Sequence, residues 1–215
     1  ISLGEFSELP RDISKLSLVG CKKLVSLPAN ICKLKYLEEL NLSNSSELEN
    51  FPEILEPMEH LKSLNLSGTA VEELHSSIEF LPHLQIIQLQ VCRRLSSISN
   101  SICKLKYLKK LDLSCCFKLE DFPEISEELE HLVSLILQGT AIEMLPSSIE
   151  KLIKLQTLDL SDCRNLKDVP TSIYNLTNLK CLYFSNCRQL EKLPSSSVGF
   201  LSLEVLDLKY SGILE

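Results

Sequence analysis

Leucine and isoleucine recur along this chain in one arrangement, L-x-x-L-x-L, followed by a second apolar segment of the form LP-x-x-I-x-x-L. A repeat of about this length cannot bury its own apolar residues and needs a near copy on each side. Consecutive first segments start 23 or 24 residues apart, which indicates one internally repeated architecture. The starting positions are Ile13, Leu37, Leu61, Leu84, Leu108, Leu132, Leu155, Leu179 and Leu203.

The alternation L-x-L predicts one short strand in each repeat, with Leu40 and Leu42 pointing inward and Asn41 pointing outward. Strands repeated at this spacing stack side by side and form a parallel sheet. The fold class that this pattern predicts is an α/β repeat, a leucine-rich-repeat solenoid shaped as a shallow horseshoe. The parallel β-sheet forms its concave face, and its convex side is mostly irregular or 3-10 helical.

The returning half of most repeats contains proline, which fixes φ and lacks an N–H group, so we expect extended chain or short helical turns there. In two repeats this proline is replaced by His75 and Ser99, and we expect a looser convex side at those places. The prolines are Pro28, Pro52, Pro123, Pro146, Pro170 and Pro194.

A second, longer period of 71 residues relates groups of three repeats. The segment ICKLKYL occurs at 31–37 and again at 102–108, and FPEI occurs at 51–54 and 122–125. We interpret residues 13–215 as about eight repeats of 23–24 residues and a truncated ninth. Residues 1–12 resemble the tail of a preceding repeat, and neither end has a polar cap, so we expect a fragment of a longer protein.

A small hydrogen-bonding residue lies three positions after the second leucine of every L-x-L. Backbone groups turn inward there and need partners, so we interpret this column as a structural ladder of buried side chains. A row of metal-binding thiols is the alternative, but one cysteine per repeat does not make a tetrahedral cluster. The ladder consists of Cys21, Ser45, Thr69, Cys92, Cys116, Thr140, Cys163, Cys187 and Ser211.

Nine cysteines cannot all be paired, which favours reduced thiols and an intracellular location. We expect the cytoplasm, with the nucleus as an alternative. Cys115 and Cys181 fall at outward positions, and the sequence leaves open whether they are redox-active. Four N-x-[ST] triplets are explained by the L-x-L-S pattern, although they also match glycosylation sites; they begin at Asn41, Asn44, Asn65 and Asn175.

The net charge of −7 argues against nucleic acid as a partner, and no apolar segment approaches the ~18 residues of a membrane span. The four histidines are isolated in sequence, and no motif indicates a catalytic residue, a metal or a cofactor. The acidic clusters around Glu53 and Glu124 indicate solvated surface. Basic residues such as Arg94 and Arg164 are predicted to face the acids of the next repeat.

The outward positions of the sheet remain as the candidate binding surface. Most are polar, whereas Ile86, Ile136 and Tyr183 are apolar or aromatic and are candidate anchors for a partner protein. Single exposed apolar residues are also common on ordinary protein surfaces. The partner-binding residues that we predict are Ile86, Gln88, Gln90, Lys110, Asp112, Ile136, Gln138, Thr157, Asp159, Tyr183 and Asp207.

Several phrases resemble one family. SGTAVEEL at 67–74, GTAIEMLPSSIEKL at 139–152 and the two FPEI segments are similar to the leucine-rich repeats of plant intracellular immune receptors, the TIR–nucleotide-binding–leucine-rich-repeat class of disease-resistance proteins. The resemblance covers essentially the whole chain. The family has no fixed recognition motif on the concave face, so no binding residue is transferred from it.

The resemblance implies a sensor that binds a pathogen effector or a guarded host protein, restrains its own nucleotide-binding domain and leads to hypersensitive defence. The NAD-cleaving TIR domain and the nucleotide-binding domain of the family are absent from this sequence, so it is not expected to be an enzyme. A cytosolic scaffold that assembles signalling proteins fits the repeats as well, and an enzyme is a weaker third hypothesis.

Overall fold

The computed structural model describes residue 10 and residues 12–214, so the tail predicted for residues 1–12 lies almost entirely outside the described residues. Nine strands of three residues form one parallel sheet, in which each strand lies beside that of the next repeat. Each strand pairs residue for residue with the same three positions of the next repeat, for example Lys15 with Glu39. These strands are β1 (Lys15–Ser17), β2 (Glu39–Asn41), β3 (Ser63–Asn65), β5 (Ile86–Gln88), β7 (Lys110–Asp112), β8 (Ser134–Ile136), β9 (Thr157–Asp159), β10 (Cys181–Tyr183) and β11 (Val205–Asp207).

The returning side of the solenoid consists of short 3-10 helices and extended chain, and the described residues contain no α-helix. The leucine-rich-repeat fold class predicted from the periodicity is confirmed. Two short strands, β4 (Glu73–Leu74) and β6 (Ser97–Ile98), pair on this returning side. The 3-10 helices are Ala29–Lys33, Ser76–Phe80, Asn100–Lys104, Ser147–Lys151, Thr171–Asn175 and Gly212–Leu214.

The predicted looser convex side at His75 and Ser99 is wrong. Each of these residues lies where other repeats have proline and precedes a 3-10 helix of the same length. Ser99 Oγ accepts a hydrogen bond from the Ser101 N–H at 3.2 Å, and His75 Nδ1 accepts one from the Ser77 N–H at 3.3 Å. These side chains satisfy backbone donors that would otherwise be unpaired at the start of the helix.

A single continuous core runs through the stack between the sheet and the returning side. In the repeat from Leu155, the inward residues Leu155, Leu158 and Leu160 are all 0% exposed. They belong to one hydrophobic core together with the inward residues of the other repeats, which is how short units without a core of their own become stable. Burial is incomplete at the last strand, where Leu206 is 41% exposed although Leu182, its counterpart on β10, is 0% exposed.

Every strand of the main sheet is followed by a turn residue with positive φ. The residues at this turn position include glycines such as Gly68 and Gly139 and residues that tolerate the left-handed region, such as Asn44. They also include the β-branched Val91, with φ of 61°. The backbone N–H of the turn residue donates to a carbonyl of the next repeat, as Val91 N–H does to the Ser114 carbonyl at 2.7 Å. The turn therefore extends the inter-repeat hydrogen bonding beyond the strand ends.

The ladder residues follow directly after this turn, and the side chains of eight of them donate to the carbonyl of an inward residue. Five of them reach the carbonyl of the preceding repeat, as Cys92 Sγ does to Leu66 at 3.1 Å; the other four are Ser45, Cys116, Cys163 and Cys187. Thr69, Thr140 and Ser211 instead donate to a carbonyl of their own turn.

The expectation that the whole ladder is buried is wrong for Cys21, which is exposed in the first described repeat. The other eight are buried, and burial is the main reason why the pKa values of the thiols rise. The pKa of Cys163 rises from 9.0 to about 11, and that of Cys187 rises to about 12. The buried thiols therefore stay protonated at neutral pH and are poor nucleophiles and poor metal ligands.

We predict that Val91→Asn stabilises the fold, by about 1 kcal/mol, because asparagine adopts the left-handed turn conformation at lower cost than valine. The free energy of unfolding would be measured by urea denaturation. The reciprocal change Asn44→Val, at the same position of another repeat, should lower that free energy. A lower stability of Val91→Asn would show that valine packing outweighs the backbone strain.

We predict that stability falls as the pH rises from about 9 towards 12. The folded pKa values of Cys163 and Cys187 lie above the ordinary value of 9.0. Below pH 9 both states are protonated, whereas above it the unfolded chain loses protons first and is favoured. The measurement is thermal unfolding against pH for the parent and for Cys163→Thr with Cys187→Ser, residues that occupy the same column in other repeats. The variant should show the smaller decline, and equal declines would contradict the role of the thiols.

Candidate protein-binding surface

The outward surface of the main sheet is formed by the first and third residues of each strand and by the residue two positions after the strand. Because the strands pair in full register, equivalent residues of consecutive repeats form straight rows across the sheet. Neighbouring residues within a row are about 5 Å apart. The third-position row contains Gln88, Asp112, Ile136, Asp159, Tyr183 and Asp207 in that order.

The structure brings all eleven predicted residues onto this one face but exposes them unequally. Ile86 is exposed, with 37% of its surface accessible. Ile136 and Tyr183, which we expected to be exposed, are half-buried. The remaining half-buried residues are Gln88, Gln90, Lys110, Gln138, Thr157, Asp159 and Asp207.

Asp112 is the exception, since it is only 6% exposed, and its prediction as a freely accessible contact is wrong. One carboxylate oxygen accepts from the Ser114 N–H at 3.2 Å and from the Ser114 hydroxyl at 2.6 Å. The other accepts from Gln90 Nε2 at 2.9 Å and lies 3.5 Å from Lys110 Nζ. This network gives the buried carboxylate a structural role that alternation along a single strand does not reveal.

Asp159 and Asp207 present their carboxylates differently. Asp159 Oδ1 accepts a hydrogen bond from the Ser161 N–H at 2.9 Å, and Asp207 Oδ1 accepts one from the Lys209 N–H at 3.0 Å. Between them, Tyr183 has a raised pKa, first because of a hydrogen bond with the Cys181 side chain and the charge of that side chain, and then because of burial and the two aspartate charges. This part of the sheet therefore combines an aromatic ring with negative charge.

A second exposed row, which sequence reasoning missed, lies at the edge where the chain enters the sheet. Tyr36 and His60 have ring centroids 5.6 Å apart, and Tyr107 lies 5.1 Å from His83 and 5.5 Å from His131. The histidines are isolated along the chain but adjacent across repeats. The signal was the 71-residue period, which relates Tyr36 to Tyr107 and His60 to His131.

The opposite edge, where the chain leaves the sheet, contains a shallow groove of about 430 Å³ next to the exposed ring of Phe117. Cys115 lines this groove and is half-buried, as is Cys181 on β10, although both were expected to be exposed. The groove also includes Gly139, Asp162 and Arg164.

Charged side chains outside the sheet pair mainly between neighbouring repeats. Arg94 contacts Glu49 and Glu72, which belong to preceding repeats, so the prediction that it faces the next repeat is wrong. Arg164 lies near Asp162 of its own repeat. Glu127 contacts Lys104 and Lys106, and these hydrogen bonds and charges lower its pKa to about 2. These exposed pairs contribute little to stability.

Within the described ranges, no group of histidine, cysteine or acidic side chains has the arrangement needed to hold a metal ion. The same part of the chain contains no helix that is long and apolar enough to cross a membrane.

Comparison with known proteins agrees with the architecture. Residues 111–212 match the family described as a leucine-rich repeat region, and residues 52–144 match the Zer-1-like leucine-rich repeats. A leucine-rich-repeat protein of Leptospira interrogans superimposes with a TM-score of 0.67 at 26% identity, over 97% of this chain and 58% of that one. The chain belongs to the leucine-rich-repeat proteins.

Within that class, its relatives are plant disease resistance proteins, which confirms the resemblance seen in the sequence. The disease resistance protein RPS6 of Arabidopsis thaliana is 33% identical over 80% of this chain. The TMV resistance protein N of Nicotiana glutinosa is 35% identical over 72% of this chain. The chain spans only 14% of the length of each of these two relatives.

We predict that Asp112→Ala lowers the free energy of unfolding by about 1–3 kcal/mol, because it leaves the Ser114 N–H and the Gln90 amide without their acceptor. The measurement is urea unfolding. Asp207→Ala removes only one such backbone hydrogen bond at a more exposed position, so it should have a smaller effect. Equal losses would mean that the Asp112 network is not the cause.

Proposed function

We propose that this chain is the partner-binding repeat segment of a plant intracellular disease resistance receptor. It binds a protein, either a pathogen effector or a host protein that the receptor guards, through the outward face of its main sheet. In the complete receptor, the segment also restrains the nucleotide-binding domain, and partner binding releases a defence response with hypersensitive cell death. It acts in the cytoplasm and nucleus.

The observation that carries the proposal is the apolar and aromatic surface on the sheet. Ile86 is exposed on β5, and Ile136 and Tyr183 are partly accessible on β8 and β10, among polar neighbours. A rigid parallel sheet holds these side chains at fixed distances, so little conformational entropy is lost when a partner covers them. Binding energy in protein interfaces concentrates in such anchors. The relationship to plant resistance proteins supplies the biological setting.

We predict that the combined variant Ile86→Ala, Ile136→Ala and Tyr183→Ala weakens effector capture by the full-length receptor at least about ten-fold, because the anchors carry much of the contact energy. The measurement is co-precipitation with a panel of effectors from one pathogen that the receptor resists. Ser63→Ala with Ser134→Ala, at polar outward positions of the same sheet, is the matched control and should bind as the parent does.

Two results would contradict the proposal. If the effector is captured equally by the parent and the anchor variant, its binding surface lies elsewhere. If only signalling proteins are captured, and no effector or guarded host protein, the segment is better described as a scaffold. If the parent captures the isolated nucleotide-binding domain and the anchor variant does not, the result would support restraint of that domain and not recognition of an effector.

A further inference from the structure

The four carboxylates in the strands of the main sheet divide into two pairs with different surroundings. Glu39 forms an ion pair with Lys15 at 2.8 Å, and the buried Asp112 lies 3.5 Å from Lys110. Asp159 and Asp207 have no lysine or arginine within ion-pair distance among the residues that the structure describes. Lysines of the sheet itself therefore neutralise the strand carboxylates in its first half, whereas the strand carboxylates in its second half have no such partner among the described residues.

The two unpaired carboxylates flank an aromatic ring. Tyr183 on β10 is directly opposite Asp159 on β9 and directly opposite Asp207 on β11. Adjacent strands are about 5 Å apart, so the two carboxylates are about 10 Å apart with the ring between them. Ile136 lies on the other side of Asp159 in the same row. The row thus reads apolar, acidic, aromatic, acidic.

Backbone hydrogen bonds hold the carboxylates in place. In each aspartate, Oδ1 accepts from the N–H group two residues later, which restricts the side chain to the sheet surface. Asn41 and Asn65, in the same row of earlier repeats, make the same bond at 3.0 Å with their amide oxygen. The bond therefore explains a short polar side chain at this position but does not require the negative charge.

We propose that Asp159, Tyr183 and Asp207 bind an arginine side chain of the partner protein. The guanidinium group stacks on the Tyr183 ring and donates to the neighbouring carboxylates, while an adjacent apolar side chain of the partner contacts Ile136. This inference rests on the proposed function, because it names the chemistry of the partner at the same face.

Arginine fits this arrangement better than lysine. Its planar group can stack on an aromatic ring and donate to a carboxylate at the same time, whereas the ammonium group of lysine is a strongly hydrated point charge. Lys209 extends from the same face two residues after Asp207 and partly offsets the charge there. Asp159, which has no such neighbour in its own strand extension, is therefore the stronger partner of the two.

The test uses this 215-residue chain with selectively labelled tyrosine and a defined probe, the peptide acetyl-Ala-Val-Arg-Val-Ala-amide. NMR titration follows the ring resonances of the five tyrosines, of which Tyr36, Tyr107 and Tyr174 lie off the site and act as internal references. The same peptide with citrulline, which has the shape of arginine without its charge, is the matched control ligand.

We predict a saturable shift of the Tyr183 resonance with the arginine peptide and an affinity about ten-fold lower for the citrulline peptide, because hydrogen bonds to charged groups exceed those to neutral ones. Asp159→Asn with Asp207→Asn should reduce arginine binding to the citrulline level without unfolding the chain, since asparagine keeps the backbone hydrogen bond. Lys209→Gln should strengthen binding.

Equal affinity for the two peptides, or arginine binding that survives the double asparagine variant, would overturn the assignment. In the full-length receptor, loss of partner capture in Ile136→Ala and Tyr183→Ala with full capture by the asparagine variant would overturn it as well and leave the proposed function standing. If the arginine peptide binds at Tyr183 but no variant of this face affects partner capture, the proposed function would be overturned and the arginine site would stand.

Discussion

The structure depends on the contact between consecutive repeats, because no repeat is stable by itself. Main-sheet strands of only three residues pair in full register with their neighbours, and the inward leucines contact their counterparts on both sides. The comparison of Leu182 with Leu206 shows the consequence, since the same position is fully buried between two strands and 41% exposed beside one. Full register also places equivalent outward residues in rows, so the core that stabilises the fold determines the geometry of the surface.

The turn after each strand imposes the second constraint, and it limits the side chains that the repeat can use. A left-handed residue keeps its N–H directed at the next repeat, and the following residue must be small and able to donate to an inward carbonyl. Where that residue is threonine, as in Thr69 and Thr140, glycine precedes it, and its hydroxyl shares a carbonyl with the cysteine of the next repeat. Cysteine is therefore present as a small buried donor, and its raised pKa separates it from redox and metal chemistry.

The period and the alternation were sufficient to predict the parallel sheet, its register and the outward face, because each depends only on spacing along the chain. Two of the failures, at Asp112 and in the row of tyrosines and histidines, come from contact between repeats. Asp112 is buried because Gln90, on the neighbouring strand extension, reaches it, and Tyr107 contacts two histidines that lie 24 residues away on either side. The capping by His75 and Ser99 has a different, local cause: each side chain accepts from the N–H two residues later, which hydrophobic periodicity does not encode.

The aspartates around Tyr183 combine an observed structural role with the binding role that we propose for them. Only a short side chain can accept from the N–H two residues later, which explains aspartate and not glutamate at Asp159 and Asp207. Asparagine satisfies that backbone donor equally well in Asn41 and Asn65, so the turn gives no reason for the negative charge. Unpaired charge beside a partly exposed ring costs little in water but favours a cationic partner over a neutral or acidic one. The backbone hydrogen bond thus fixes the length of these side chains, and the arginine contact that we propose would account for their charge.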